Sequence, residues 1–350
     1  MPLMSVRDFI TAIPKAELNL QLTGAFRRES LLMIARQNEV PSQREDFEQW
    51  LALVDQPDFA RLDEIAREAG SWVMYPEDIA LVVYDMGLAL SKQNVRYAEV
   101  MVAPPDFIGS AHMNFDAFID ALNDGRDRVL RAWDVDLAWI LCIPWDNPRA
   151  GDDVARWATG AAGKLGNVVG MGLIGLEGAQ PLGQFRRAFD TARKKEIYTI
   201  VNAGSSLGAA GVEEALAELS PHRLTDSWGI AGNSAIRDSL AEKEIPIVVS
   251  LHRALRLGLI PAAADYPLRQ LKDSGVQVLL SSGMPSLLGA NLIDEYELAH
   301  SACGLEIEAL IQLMRQSIEL AYLDSERKDK LLLRFDRDVK TARRMLLTGD

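Results

Sequence analysis

Eight short apolar runs, most of them followed by a helical pattern, set the tightest limit on how this 350-residue chain folds. They lie at 16–22, 95–103, 135–143, 168–174, 197–202, 223–226, 245–250 and 276–281. Helical spacing of apolar residues occupies the intervals, and three further helical patterns close the chain near 288–301, 305–322 and 325–346. Repeated strand–helix alternation requires parallel strands joined by crossovers. Eight such units predict an α/β fold, a TIM (β/α)8 barrel, with extra C-terminal helices. The alternative is an open doubly wound sheet. No Gly-x-Gly-x-x-Gly follows a strand and no phosphate-loop signature is present, which weighs against its nucleotide-binding form. The expected organisation is one domain over 1–350, with a helical insertion at 26–94 that caps the barrel after the first strand.

In a barrel the chemistry sits where strands end. The first run alternates with a period of two: Ala16, Leu18, Leu20 and Leu22 on one face, Glu17, Asn19, Gln21 and Thr23 on the other. Asn19 and Gln21 therefore project side by side near the mouth. The later strand ends offer Glu99 and Met101, Glu177, Asn202 and Ser205, Asp226 and Ser227, Ser250 and His252, and Ser281 to Gly283.

Composition narrows the partners. Fifty acids against 37 bases give a net charge of -13, which argues against nucleic acid and anionic membrane. No apolar run has the length of a membrane span and no signal pattern opens the chain. Cys142 and Cys303 are too few and too far apart for a disulfide framework. A cytoplasmic protein is expected. His112, His222, His252 and His300 form no local ligand pair of the kind that marks a zinc site.

The stretch Pro14-Lys-Ala-Glu-Leu-Asn19-Leu-Gln21-Leu-Thr-Gly24 resembles the first strand of the adenosine deaminase family, Pro-Lys-x-Glu-Leu-His-x-His-Leu-x-Gly. The similarity runs through nearly the whole chain. Tyr97-Ala-Glu-Val-Met-Val-Ala-Pro104 looks like the family's second-strand signature, with Met101 where a polar or basic residue is usual. Val168-Val-Gly-Met-Gly-Leu-Ile-Gly-Leu-Glu177 looks like Val-Val-Gly-x-Asp-Leu-x-Gly-x-Glu and keeps Gly175, which approaches the purine in the family, and Glu177. The resemblance implies a barrel fold and a zinc-dependent deaminase ancestry. It also marks what is missing. The two first-strand histidine ligands are Asn19 and Gln21 here, and His-Ala-Gly-Glu, with a third histidine ligand and the proton-shuttle glutamate, is Asn202-Ala-Gly-Ser205. Arg-Ile-Gly-His-Gly, with the hydroxide-orienting histidine, is Arg223-Leu-Thr-Asp226-Ser227. The Cys-Pro-Thr-Ser-Asn core of the seventh strand is Ser250-Leu-His-Arg-Ala254, and Asn-Thr-Asp-Asp-Pro, with an aspartate on zinc, is Ser281-Ser-Gly-Met-Pro285. No metal and no other cofactor is expected.

The substituting residues are mostly polar. They predict a repurposed, metal-independent enzyme that works on a small polar metabolite, with a purine-like or other flat heterocycle as the first class to test. Proton transfer, elimination, isomerisation or cyclisation fit such a set. His252, which titrates near neutrality, Asp226 and Glu177 are the catalytic candidates. Asn19, Gln21, Gly175, Asn202, Ser205, Ser250, Ser281 and Trp228 are the substrate-binding ones. Structural alternatives stand beside them: packing for His252, an ion pair with Arg253 or Arg223 for Asp226, and a turn or helix cap for Ser205 and Ser206. The competing function is a catalytically inactive pseudoenzyme that binds a ligand or a protein partner. A homo-oligomer is compatible with either, and zinc-dependent purine deamination is the least favoured.

Overall fold

A computed structural model of the protein describes residues 4–40, 44–55, 59–108 and 113–348; His112 lies outside them. Eight strands form one sheet in sequence order: β1 (Lys15–Gln21), β2 (Val95–Val102), β3 (Asp136–Pro144), β4 (Val168–Ile174), β5 (Tyr198–Asn202), β6 (Arg223–Thr225), β7 (Ile247–Val249) and β8 (Val278–Leu280). Every neighbouring pair from β1–β2 to β7–β8 is parallel. Between β8 and β1 the seam is bridged by side chain and loop. Gln21 N–H donates to the Gly283 carbonyl at 2.8 Å, and the Glu17 carboxylate accepts from Ser282 N–H at 3.1 Å and from its hydroxyl at 2.8 Å. The fold is a (β/α)8 barrel.

The strands are short because each ends where its sequence stops supplying ladder partners. Pro144 ends β3, Pro104 opens a tight turn after β2, and Asp226, at φ 57°, turns the chain into the left-handed region after β6. Four helices separate β1 from β2: Arg28–Gln37, Arg44–Asp55, Phe59–Ser71 and Pro76–Lys92. The last starts where Pro76-Glu77-Asp78 announces it, and the Asp78 carboxylate accepts from Tyr75 N–H at 3.1 Å. One run reads differently from its sequence pattern. The helix expected over 152–165 breaks at Gly160 into Gly151–Thr159 and Ala161–Leu165, with Gly160 in an extended conformation at ψ 175°.

Inside the barrel the side chains lie in layers. The amino-terminal end is closed by a buried ion pair between Arg223 and Glu99. The guanidinium also donates to the Leu18 and Leu320 carbonyls and lies 4.0 Å from the Tyr322 ring centroid. Met101, Ala103, Ile140, Cys142 and Ile200 form a separate apolar cluster, and a Cβ on Gly172 would meet Met101 and Cys142 at 3.0 Å. Burial pushes the Cys142 thiol well above its ordinary pKa, so it is a packing group.

A cavity at the carboxyl ends of the strands

A cavity of about 130 Å³ opens at the strand ends. Gln21, Pro144 and Ile174, which close β1, β3 and β4, line it together with Trp145, Gly175 and Met284. Asp63 and Arg67 reach it from the helix Phe59–Ser71, and Asp106 and Asp146 from the loops after β2 and β3. Gly175, at φ 107°, lets the chain turn closely past Trp145; a side chain there is strained whatever the space.

The cavity is charged unevenly. Arg67 pairs with Asp146 at its rim. The Asp106 carboxyl makes no ion pair or hydrogen bond among the described residues, and burial raises it from 3.8 to about 6, with Arg67 opposing and Asp146 and Asp63 adding to the rise. Burial also raises Asp63, against the pull of Arg253 and Arg67.

Each residue singled out in the sequence has a definite place. Gln21 is 6% exposed and lines the cavity, and its carboxamide has no partner among the described residues. Asn19 and Asn202 are buried, and each leaves its Oδ1 without a partner, although Asn202 Nδ2 donates to the Gly175 carbonyl at 3.2 Å. The Ser281 hydroxyl accepts from Gly283 N–H at 3.0 Å, beside the seam. Trp228 packs on Tyr266, with ring centroids 6.3 Å apart, away from the cavity lining.

The three acid–base candidates are not brought together. The Glu177 carboxylate accepts from the Gly204 N–H, from Ser206 N–H at 2.7 Å and from Leu207 N–H at 3.0 Å, and from the hydroxyls of Ser205 and Ser206 at 3.3 and 3.0 Å. It therefore fixes the loop that leads into the helix Gly208–Glu218, and Ser205 belongs to that support. Asp226 faces Arg253 at 3.6 Å, with both side chains buried, which is the ion-pair alternative drawn from the sequence. Burial raises its carboxyl against that pairing. Asp226 consequently does not orient His252. His252 Nδ1 lies 3.3 Å from the Glu295 carboxylate without hydrogen-bond geometry. Burial pulls the imidazole pKa down, and Glu295 overrides it to hold the group above its ordinary value. Glu295 also accepts from Ser250 Oγ at 2.8 Å and Leu251 N–H at 2.7 Å, while Ser250 caps the helix Leu251–Arg256 by accepting from Arg253 N–H. Ser250 is thus a helix-start residue.

Sequence reasoning missed Glu17, Asp63 and Asp106. Glu17 shares the alternating face with Asn19 and Gln21, so period two already placed it inside the barrel. Asp106 follows Pro104-Pro105, the turn that ends β2. Asp63 sits on a helix remote in sequence from any strand end, and no local signal marks it.

The family's zinc has no fitting donor set here. Zinc takes imidazole, thiolate or carboxylate ligands, and the corresponding positions hold the neutral amides Asn19, Gln21 and Asn202 and the backbone of Gly283. Among the described residues no group of three His, Cys, Asp or Glu side chains is placed to hold a metal ion.

Residues 14–338 match the family model for adenosine deaminase. An aminodeoxyfutalosine deaminase of Streptomyces coelicolor is 28% identical over 332 residues, covering 92% of this chain and 84% of that protein. An adenine deaminase of Chlorobium phaeobacteroides is 25% identical over 329 residues, covering 93% and 96%. The crystal structure of a Burkholderia ambifaria amidohydrolase with bound Zn superposes with a TM-score of 0.87 at 23% identity, over 98% of this chain and 95% of that one. An adenine deaminase structure from Arthrobacter aurescens gives 0.86 at 20% identity, over 94% and 99%. At those identities the two structures speak for the fold.

Proposed function

Because the chain belongs to the adenosine deaminase family, we propose that it is a member whose zinc centre has been replaced by a metal-independent pocket, which binds a small, flat, polar metabolite and acts on it by acid–base chemistry. One observation carries this reading. The cavity at the strand ends holds Asp106, an unpaired carboxyl with a pKa of about 6, beside the partnerless Gln21 carboxamide. A group with its pKa near neutrality can both take and give a proton at physiological pH. The acid–base role therefore passes to Asp106 from His252, Asp226 and Glu177, whose side chains hold other parts of the fold. Adenine, named for several relatives, is a flat polar heterocycle and defines the first compounds to test.

The engagement of Glu177 by loop donors and of Asp226 by Arg253 favours a second reading, a ligand-binding pseudoenzyme. One experiment separates the two. Chelator-treated protein and its Asp106→Asn variant are incubated with a metabolite extract, which is followed by mass spectrometry together with the metal content of the untreated protein. A compound consumed only by the unsubstituted protein supports the enzyme. A compound retained but unchanged supports the binder. Stoichiometric zinc in the untreated protein, with turnover abolished by the chelator, refutes both.

A further inference from the structure

We propose that the mouth cavity selects a cation: a planar ligand bearing a protonated amine or amidine group, held against Asp106 and Asp63. The proposal rests on the reading of the cavity as a ligand pocket and names the class of ligand.

The charge balance points that way. Three carboxylates, Asp63, Asp106 and Asp146, line the cavity against one guanidinium, Arg67, which is already engaged by Asp146. The adjacent Asp226–Arg253 pair is neutral as a unit and leaves this excess unchanged. A carboxylate held in a half-buried recess without a cation is unfavourable, and a cationic ligand removes that penalty.

One further observation, independent of the acidic cluster, calls for a ligand. The Gln21 side chain is more than nine-tenths buried, lines the cavity and has no hydrogen-bond partner among the described residues, its amide atoms staying open to the cavity. Trp145, 2% exposed, lines the same cavity, while its Nε1–H is enclosed by protein and does not open into it. A polar group held in the wall of a recess without a protein partner is satisfied by a bound molecule or by water, and Gln21 is such a group. Trp145 and Ile174 supply apolar walls for a flat ring, and the substitution-intolerant turn at Gly175 keeps the backbone out of the opening. A ring with a donor edge towards Asp106 and Asp63, and a face against Trp145, satisfies the charge and the shape together.

The test uses three probes of nearly one shape: benzamidine, benzamide and benzoate, titrated calorimetrically at neutral pH into the full chain and into Asp106→Asn, Asp63→Asn and Gln21→Ala. The expected result is benzamidine bound about tenfold or more tighter than benzamide, with benzoate weakest. Asp106→Asn should collapse the preference by weakening benzamidine far more than benzamide, and Gln21→Ala should weaken both of these probes. Equal affinity for benzamidine and benzamide, lost together in Gln21→Ala, overturns the cation proposal and leaves the pocket standing. Benzamidine binding that ignores both aspartate substitutions also overturns it. Failure of all three probes to bind overturns the pocket reading as well. The melting temperature of each variant shows whether a lost affinity reflects the site or the fold.

Discussion

Replacing Asp106 with asparagine should make the protein more stable, and the gain should depend on pH in a stated direction. The side chain has no ion pair to lose, and asparagine has its shape without its charge. Its carboxyl is raised from 3.8 to about 6 in the fold, chiefly by burial. A shift of about two units corresponds to roughly 3 kcal/mol, and access of water from the open cavity reduces this to about 1–2 kcal/mol. The native state binds the proton more tightly than the unfolded chain. Stability is therefore lost as pH rises from about 4 to about 6, and the whole penalty is present at pH 7.5. With an unfolding entropy of roughly 0.7 kcal/mol/K for a chain of this length, Asp106→Asn should raise the melting temperature by about 2 °C at pH 7.5 and by almost nothing near pH 4. Thermal unfolding of both proteins across that range measures the difference directly, and other titrating groups cancel in the comparison. A variant less stable at pH 7.5, or a gain that persists unchanged at pH 4, refutes the idea that the carboxylate is held in the cavity at the expense of the fold. The predicted gain in stability with a loss of ligand affinity is the signature of a functional group under strain.

Glu99→Gln breaks a fully buried pair and leaves the Arg223 guanidinium uncompensated, so it should cost about 3–5 kcal/mol, seen as a fall of several degrees in melting temperature. Glu177→Gln replaces a charged acceptor of several hydrogen bonds; denaturant titration should show a loss of about 2–3 kcal/mol, and proteolysis should begin in the 204–207 loop. In Glu295→Gln the His252 pKa should fall, because the carboxylate that holds it up is gone, and an NMR titration of the ring reads this directly. The same raised pKa makes the stabilisation from the His252–Glu295 contact present below the ordinary histidine pKa and lost as pH rises through the folded value, so the stability difference between Glu295→Gln and the unsubstituted protein should shrink from pH 6 to pH 9. A His252 pKa that does not move would place the imidazole in the field of some other group.

The fold was legible because a barrel strand announces itself twice, by its apolar run and by what stops it. Pro144 and the Pro104-Pro105 turn mark strand ends that the structure places at the mouth, and Pro76 marks a helix start. The failures were of a different kind. Ser250 and His252 lie just past the end of β7, as the sequence reading placed them, but the short helix that Ser250 caps and whose first turn holds His252 left no mark in the sequence pattern. A single turn of helix carries too few apolar positions for periodicity to show it. The absence of zinc ligands could be seen residue by residue in the first strand, since period two fixes which side chains point inward. What took their place could not. Asp63 enters the cavity from a helix whose position over the barrel depends on tertiary packing, and Asp106 matters because its loop is half-buried, which no run of sequence states.

The buried carboxylates of the barrel each hold a particular segment in place. Glu17 ties β1 to the loop after β8, Glu99 closes the floor through Arg223, Glu177 gathers the loop after β5, and Glu295 caps the helix after β7. All four are buried, and each accepts from donors that tie it to a particular segment, although one oxygen of Glu17 is left without a partner and burial raises that carboxyl. Three of these segments form the rim of the mouth. At the centre of that rim the chain places neutral amides, Asn19, Gln21 and Asn202, in positions where imidazoles without a metal would bury titratable groups. The rim is thus held by hydrogen-bonded carboxylates, and the cavity keeps the partnerless Gln21 carboxamide beside the unpaired Asp106. A barrel that no longer used its mouth would gain stability by replacing those groups with apolar side chains. The presence of Gln21 and Asp106 together in one cavity is the physical reason for reading it as a ligand site.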